Sequence, residues 1–283
     1  MKILIEPNVH LFVDTEGVSL VPDASTMREK PTLILLHGGP GYDHASFKPA
    51  FSQLSDIAQI IYYDHRGHGR SDKRPMDELT LDNLADDIVK LCDTLGITKP
   101  IVFGQSFGGF VAQRYIERHP KHPLKVILSS TSHNFGLTRK LAMFKRLGGD
   151  ETSNVASEFW TNPNESSYDV YQKVCRPFYN TVTSSNNNAA LRATFNSKIL
   201  FRWINGEYKD MNLLSGLTHA QCPVLVLAGE LDPVCPIDDS RDIVDALPEQ
   251  FVQFEQFSDC GHGVWRDNPN TAFTRLKKFI LES

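Results

Sequence analysis

Residues 104–109 read Gly104-Gln105-Ser106-Phe107-Gly108-Gly109. The first five match G-x-S-x-G, the turn that carries a nucleophilic serine between a buried strand and a helix. An apolar run at 101–103 predicts the strand, and residues 108–118 predict the helix. Small residues are needed there because side chains would collide where the strained turn meets both elements. The stretch therefore predicts Ser106 as an exposed nucleophile beside a helix N-terminus.

Short apolar runs with the length of buried strands recur on both sides of this turn. They lie at residues 32–36, 59–63, 125–128, 224–228 and 251–257. Amphipathic helical patterns lie between or after them, at residues 81–95, 108–118, 238–246 and 270–281. Strands and helices alternate, which predicts an α/β fold with a mostly parallel sheet and helices on both faces. Thr80 is the predicted N-cap of the first helix and Gly96 its stop, and a hairpin turning at 15–17 is expected within 10–21.

The alternation stops between residues 133 and 217. Helical pieces are expected at 137–147, 168–179 and 195–203, with a polar run at 181–188 that is read as a loop. This predicts a helical cap, 133–217, inserted in a core domain formed by 1–132 and 218–283. The alternative is a second domain with a function of its own.

The motif His37-Gly38-Gly39-Pro40-Gly41 directly follows the strand predicted at 32–36. A serine that attacks a carbonyl needs N–H donors for the oxyanion that forms. We expect these donors to be the backbone N–H groups of Phe107 and Gly39. A phosphate-binding loop is disfavoured because neither G-x-G-x-x-G nor G-x-x-x-x-G-K-[ST] is present.

A serine hydroxyl is too weak an acid to attack unaided, so a base within hydrogen-bond reach is required. His262 lies between two glycines after the last predicted strand, and its place fits the chain order serine, acid, histidine. Asp232 follows the strand at 224–228 and is expected to hold one tautomer of the imidazole. Glu230 is the rival acid, and Asp238 and Asp239 are weaker rivals because they begin a predicted helix.

Composition limits the partners of the chain. Its 283 residues carry a net charge of -5 and contain no long basic run, so nucleic acid is not an expected partner. No apolar run of membrane-spanning length is present. The five cysteines are irregularly spaced, which favours a reducing compartment over a disulfide framework. We expect a cytoplasmic protein that acts on a small molecule without a cofactor, in an oligomeric state that the sequence leaves open.

Two further groups of residues raise the question of other chemistry. His65 and His68 lie near Asp64, but neither H-E-x-x-H nor a pair of CxxC motifs is present, so packing within a loop is favoured over metal binding. Cys260 has no nucleophile turn of its own and is interpreted as a small buried residue.

Taken together, HGGPG at 37–41, DHRGHGRS at 64–71, GQSFGG at 104–109, GELDP at 229–233 and GHG at 261–263 resemble an α/β-hydrolase. In detail they resemble the proline iminopeptidase branch. The resemblance implies an eight-stranded sheet, a helical cap between strands six and seven, and hydrolysis of an ester, amide or lactone without a cofactor. Two features depart from that branch: Phe107 follows the serine where iminopeptidases have tryptophan, and Pro233 follows the acid.

The cap supplies the candidate substrate-binding residues. Trp160, Phe201 and Trp203, together with Gly38, are expected to line an apolar pocket, although such aromatics can also simply pack the cap on the core. Glu158, Glu165 and Glu207 are candidates for holding a substrate ammonium group.

Three classes of function remain open. The first is hydrolysis of small esters, lactones (including acyl-homoserine lactones) or amides. The second is proline iminopeptidase activity, and the third is ligand binding without catalysis. A haloalkane dehalogenase is disfavoured because its nucleophile would be an aspartate.

Overall fold

The computed structural model describes residues 1–182 and 189–282, and its centre is an eight-stranded sheet. The ten strands are β1 (Lys2–Glu6), β2 (Val9–Glu16), β3 (Leu20–Asp23), β4 (Thr26–Glu29), β5 (Thr32–Leu36), β6 (Gln59–Tyr63), β7 (Ile101–Gln105), β8 (Lys125–Ser129), β9 (Val224–Gly229) and β10 (Val252–Phe257). The sheet order is β1-β2-β6-β5-β7-β8-β9-β10, and β3 pairs only with β4. All six strands expected from the sequence are present, and five of them are buried, whereas β10 at the edge of the sheet is mostly half-buried. The chain has the predicted α/β-hydrolase fold.

The sheet is parallel from β6 to β10, and β1 and β2 add an antiparallel edge. In a parallel sheet, the loops that follow the carboxyl ends of the strands all lie at one edge. Ligands of open α/β sheets bind at this edge. The loops after β5, β7 and β9 therefore lie along the same edge. These loops contain the HGGPG motif, Ser106 and Asp232.

The central strands β5 to β9 are buried on both faces of the sheet. Successive side chains of a strand point to opposite faces, so each of these strands contributes to two cores. In β5, Ile34 and Leu36 pack in one apolar core with the helix at 81–95, whereas Leu33 and Leu35 pack in the other core with the C-terminal helix. This double burial explains why the central strands read as continuous apolar runs instead of alternating ones.

The helices that cover the sheet are α1 (Leu81–Leu95), α2 (Phe107–Arg118), α9 (Ile237–Ala246), α10 (Val264–Asp267) and α11 (Pro269–Leu281). The bounds of α1 are those predicted. The Thr80 hydroxyl accepts a hydrogen bond from the Asn83 N–H, and Gly96 ends the helix in the left-handed region at φ 70°.

β8 and β9 are the sixth and seventh strands of the sheet in chain order. The described residues between them form six α-helices: α3 (Leu137–Thr161), α4 (Glu165–Val174), α5 (Ala189–Arg192), α6 (Ser197–Asn205), α7 (Glu207–Asp210) and α8 (Leu214–Leu217). Helix α3 is longer than predicted and contains a break at Gly149, whose φ is 81°. Of the polar run 181–188, residues 183–188 lie outside the described residues. The division into a core and a cap stays a prediction.

The N-terminal hairpin expected at 10–21 is wrong. Strand β2 pairs with β1 on one side and β6 on the other, and the β1–β2 turn contains Asn8 at φ 63°. Gly17, at φ 78°, instead ends β2, and the chain continues into the separate β3–β4 hairpin. The prediction failed because residues 15 and 16 do not turn but pair with Ile61 and Ile60 of β6. Within residues 1–182 and 189–282, no helix combines the length and apolarity needed to cross a membrane.

Candidate active site

Ser106 occupies the sharp turn between β7 and α2. Its φ of 53° and ψ of -115° lie outside the regions that residues with a side chain normally occupy, which costs on the order of 1–3 kcal/mol. Two contacts hold this conformation: the Ser106 N–H donates to the Ser129 carbonyl at 3.0 Å, and the Thr131 hydroxyl donates to the Ser106 carbonyl at 2.9 Å. The serine hydroxyl does not cap α2.

The glycines of the motif are required by close contacts. A Cβ atom on Gly104 would lie 2.4 Å from the Gly108 carbonyl oxygen, and one on Gly108 would lie 2.1 Å from the carbonyl oxygen of Leu36 in β5. Both distances are well below van der Waals contact, so only glycine allows α2 to start this close to the sheet. Phe107 is the first residue of α2, and the first N–H groups of a helix have no acceptor within it.

Asp232 and His262 meet directly, although 30 residues separate them. Nδ1 of His262 lies 2.8 Å from Oδ2 of Asp232. The other carboxylate oxygen of Asp232 accepts hydrogen bonds from the N–H groups of Val234 and Cys235, each at 2.8 Å. The Asp232 carboxylate is fully buried and held by three hydrogen bonds. Because its position is fixed, it also fixes the orientation of the imidazole whose Nδ1 it binds. The rival Glu230 forms no such contact in the described part of the chain.

The loop after β8 joins the serine turn to the histidine loop. Residues 129 and 131 hold the backbone of Ser106, as described above, and between them the Ser130 hydroxyl accepts a hydrogen bond from the Gly263 N–H at 3.0 Å. On the other side of the serine, the Gln105 side chain accepts from the Trp265 indole at 3.1 Å. The serine turn and the histidine loop are thus fastened together at two points.

The His262 backbone is held by residues of the segment between β8 and β9 (residues 133–217, called the insertion below), a contact that no sequence pattern predicts. Its N–H donates to the Tyr179 carbonyl at 2.5 Å, and its carbonyl accepts from the Asn180 side chain at 3.2 Å. The Tyr179 ring lies edge-on to the imidazole, with centroids 5.5 Å apart. Tyr179 and Asn180 are 82 or more residues from the histidine in sequence, and no local pattern marks them.

The HGGPG loop packs against the serine turn. A Cβ atom on Gly38 would lie 3.2 Å from the Ser106 Cβ, and Gly39 takes a φ of 52°. The loop is also tied to the insertion just before α6. The Asn196 N–H donates to the Gly41 carbonyl at 3.0 Å. The buried carboxylate of Asp43, two residues further along, also contacts the insertion.

Asp43 is fully buried in the chain that follows the HGGPG loop. Its Oδ2 accepts from both the N–H and the hydroxyl of Thr194, at 3.0 and 2.9 Å, and from Arg70 at 3.1 Å. No sequence pattern indicates a role for Asp43, because its partners lie 27 and 151 positions away. The insertion therefore contacts both the loop that carries the predicted oxyanion donor and the loop that carries His262.

His37, His65 and His68 form a buried cluster beneath the HGGPG loop, with ring centroids 4.2–5.8 Å apart. The His68 Nδ1 lies 2.7 Å from the Arg66 carbonyl, which fixes its proton there. Burial and the neighbouring His37 lower the pKa of His68 to about 3, and burial likewise lowers the pKa of His37 and His65. His65 and His68 pack within the loop as predicted, but only His68 hydrogen-bonds there through its side chain. Both ring nitrogens of His65 are buried without a hydrogen-bond partner among the described residues.

A pocket of about 140 Å³ adjoins the serine turn. Phe107 and Trp203 lie on its wall, with their rings 5.1 Å apart, and Pro40 of the HGGPG loop also borders it. Glu207 faces the same pocket and accepts a hydrogen bond from the Leu81 N–H at 3.1 Å. Burial raises the pKa of the Glu207 carboxyl group. The pocket combines an aromatic wall with one partly buried carboxylate.

The other predicted substrate-binding residues lie elsewhere. Trp160 is buried among aromatic rings of the insertion, 5.1 Å from Phe159, and half-buried Phe201 packs 6.0 Å from Tyr168. Glu158 and Glu165 are exposed on the surface of the insertion. Their roles in substrate binding stay predictions.

Donor atoms for a metal come together in two places. Those of Asp232, Cys235 and His262 lie within 4.8 Å of one another, as do those of His133, Asp239 and Asp242. In the first group, two of the candidate ligand atoms, Nδ1 of His262 and Oδ2 of Asp232, are already hydrogen-bonded to each other. In the second, Arg139 forms ion pairs with both carboxylates and so neutralises the site. Cys260 is buried, as predicted, and burial raises the pKa of its thiol to about 12.

The family model for the alpha/beta hydrolase fold matches residues 31–269, which is most of the chain. The chain belongs to the alpha/beta hydrolase family. A curated relative is the proline iminopeptidase PfmaB of Pestalotiopsis fici, 28% identical over 253 residues that span 84% of this chain and 88% of that protein.

Several solved structures share the fold of this chain. The esterase EaEST from Exiguobacterium antarcticum superposes with a TM-score of 0.75 at 18% identity, covering 99% of both chains. Est816, an N-acyl homoserine lactone degrading enzyme, superposes with a TM-score of 0.72 at 19% identity, covering 99% of this chain and all of the other. At these identities the likeness establishes the fold.

Proposed function

We propose that this hydrolase is a serine hydrolase that cleaves an ester, lactone or amide bond of a small, partly apolar substrate through an acyl-enzyme. The observation that carries the proposal is the 2.8 Å contact between His262 Nδ1 and the buried Asp232 carboxylate, on a loop fastened to the strained turn of Ser106. Hydrogen bonding of Nδ1–H to the carboxylate leaves Nε2 as the basic nitrogen.

In the proposed mechanism, Nε2 of His262 removes the proton of the Ser106 hydroxyl as the oxygen attacks the substrate carbonyl. The N–H groups of Phe107 and Gly39 bind the oxyanion, and each such donor contributes about 3–4 kcal/mol to lowering the barrier. The imidazolium then protonates the leaving group. Water, deprotonated by His262, releases the acyl group and restores Ser106.

We assign the pocket between Phe107 and Trp203 to an apolar part of the substrate, and the insertion 133–217 to a cap over it. Both aromatic rings border the pocket, and the backbone of Phe107 is a proposed oxyanion donor. A substrate group in this pocket would therefore lie next to the reacting carbonyl.

A second candidate is proline iminopeptidase activity. Glu207 favours it, since a partly buried carboxylate beside the serine turn could hold the ammonium group of an N-terminal residue. The relative PfmaB is named a proline iminopeptidase, which supports testing this activity.

Turnover of a defined panel by purified protein tests the proposal. The panel contains p-nitrophenyl acetate, butyrate and octanoate, a homoserine lactone and proline β-naphthylamide, each assayed with the native protein and Ser106→Ala. We expect hydrolysis of esters or lactones that disappears in the variant. Preference for proline β-naphthylamide would select the second candidate. Labelling by a fluorophosphonate without turnover of any panel member would favour a ligand-binding role and contradict the proposal.

A further inference from the structure

Residues 41–43, which end the HGGPG motif and follow it, are held by residues 194–196 of the insertion. The contacts form three pairs in opposite chain order: Gly41 with Asn196, Tyr42 with Phe195, and Asp43 with Thr194. Each residue of one segment thus has a partner in the other. The two segments lie side by side next to the loop that carries the proposed oxyanion donor Gly39.

The pair inside the HGGPG motif brings the two backbones into direct contact. The Asn196 N–H donates to the Gly41 carbonyl at 3.0 Å, and a Cβ atom on Gly41 would collide with the Asn196 carbonyl oxygen. Gly41 also takes a φ of 98°, in a region that glycine enters without steric cost. Only glycine at this position therefore lets the insertion lie directly against the loop.

Tyr42 carries the contact with the insertion back to Gly39. The Tyr42 N–H donates to the Gly39 carbonyl at 3.1 Å, and a Cβ atom on Gly39 would lie 2.8 Å from Cδ2 of the Tyr42 ring. The same ring has its centroid 4.4 Å from that of Phe195, and its hydroxyl lies 3.1 Å from that of Tyr168 in α4. Gly39 is therefore packed against a side chain that two residues of the insertion hold in place.

The third pair has a buried carboxylate as its acceptor. Oδ2 of Asp43 accepts hydrogen bonds from the N–H and the hydroxyl of Thr194 and from Arg70, while Oδ1 accepts from the Ala45 N–H at 3.0 Å. Hydrogen bonds to a charged group are roughly twice as strong as those between neutral groups. Thr194 itself is exposed, so the loss of its hydroxyl leaves the core packing intact.

We propose that Thr194 is a positioning residue that holds the Gly39 N–H where the oxyanion forms. This role rests on the proposed function, in which Gly39 is an oxyanion donor. Gly39 and Gly41 both have positive φ, and glycines give this stretch of chain more backbone conformations than other residues would. An oxyanion donor lowers the barrier most when it is in place before the reaction begins. By binding Asp43, Thr194 fixes the far end of this stretch and restricts its conformations.

Thr194→Val tests this role, because valine keeps the shape and the N–H donor and loses only the hydroxyl hydrogen bond to Asp43. Thr194→Ser restores the hydroxyl and should restore native behaviour. Thr161→Val is the matched control, since the exposed Thr161 hydroxyl binds the Ser157 carbonyl within α3.

Hydrogen–deuterium exchange, read by mass spectrometry, measures the loop without any assay of hydrolysis. We expect peptides that cover residues 38–45 to exchange about fivefold faster in Thr194→Val than in the native protein, because one hydrogen bond that holds the loop is lost. Thr194→Ser and Thr161→Val should exchange at the native rate. Equal exchange of these peptides in all four proteins would overturn the proposal.

Inhibition by butaneboronic acid measures the effect on the oxyanion site. The boronate forms a tetrahedral adduct with a nucleophilic serine and resembles the transition state of ester hydrolysis. On p-nitrophenyl butyrate, kcat of Thr194→Val should fall about tenfold with little change in KM, and the Ki of the boronate should rise by a similar factor. Thr194→Ser should recover both values.

Two results of the kinetic experiment have different meanings. Native kcat and native Ki in Thr194→Val, or a lower Tm as its only change, would assign Thr194 a purely structural role and overturn the proposal. Absence of turnover by the native protein, or turnover that Ser106→Ala retains, would instead contradict the proposed function.

Discussion

The N–H of His262 donates to the carbonyl oxygen of Tyr179 at 2.5 Å, so the proposed general base is attached to the helical insertion as well as to the sheet. Asn180 adds a hydrogen bond from its side chain to the His262 carbonyl at 3.2 Å. Both backbone polar groups of the histidine are thereby held by one short segment. Movement of this segment would therefore change the position of the imidazole.

Asn180→Ala removes one of these two contacts and tests whether the segment positions the base. The loss of one hydrogen bond, about 1 kcal/mol, should lower kcat roughly fivefold on a good ester while KM changes little, because the substrate pocket is untouched. Thr181→Val is the matched control, since the Thr181 hydroxyl binds the Asp259 carbonyl and not His262. An equal fall in kcat for both variants would show a general effect on the segment.

Asp232→Asn tests the acid. The amide keeps the shape of the side chain but no longer favours the proton on Nδ1 of His262, so kcat should fall about 10⁴-fold, as for the same change in a serine protease triad. Asp238→Asn, at an exposed position of α9, serves as the control and should retain full activity. Near-normal turnover by Asp232→Asn, with a folded circular dichroism spectrum, would exclude this residue as the acid.

Trp203→Ala tests the assignment of the pocket. Trp203 borders the pocket beside Phe107, whereas Phe201 on the same helix packs against Tyr168. Enlarging the pocket should lower kcat/KM for the octanoate ester relative to the acetate ester by roughly tenfold or more. Phe201→Ala should leave that ratio unchanged. A shared loss of activity on both esters would instead indicate a packing defect.

The buried histidine cluster predicts a loss of stability in mild acid. His68 has a pKa of about 3 in the folded protein because of burial and of His37, whereas an unfolded histidine titrates near pH 6.5. Below pH 6.5 the unfolded state therefore binds more protons, and the free energy of unfolding falls by up to about 1.4 kcal/mol per pH unit for this residue, down to pH 3.

His68→Asn, which keeps a donor for the Arg66 carbonyl, should reduce this slope. Urea unfolding at pH 7, 6 and 5 measures it, with His219→Asn at an exposed position as the control. Parallel pH profiles for the native protein and His68→Asn would mean that this histidine is not kept neutral by the fold.

The parts of the fold predicted best from the sequence are those whose pattern is local. Helix α1 was bounded correctly because Thr80 and Gly96 are explicit start and stop residues, and the buried strands stood out as short apolar runs between turns. Asp232 and His262, which the structure joins, were marked by their positions after strands and between glycines. The first hairpin failed because strand pairing is decided by partners elsewhere in the sheet.

The contacts between the insertion and the rest of the chain could not be predicted from the sequence. Tyr179 and Asn180 hold His262 through a backbone carbonyl and a side-chain amide, groups that any loop contains. Thr194 binds Asp43, 151 residues away in sequence, and neither local sequence contains a pattern that predicts this contact. Such contacts arise only when the insertion is folded onto the sheet.

The proposed role of Ser106 as the nucleophile is tested most directly by identifying the residue that a fluorophosphonate modifies. Intact protein is labelled with one equivalent of the reagent, digested, and mapped by mass spectrometry, in parallel with Ser106→Ala and Asp232→Asn. We expect a single adduct on the peptide carrying Ser106, no adduct in Ser106→Ala, and much slower labelling of Asp232→Asn. An adduct on another residue, or labelling that Ser106→Ala retains at the native rate, would contradict it.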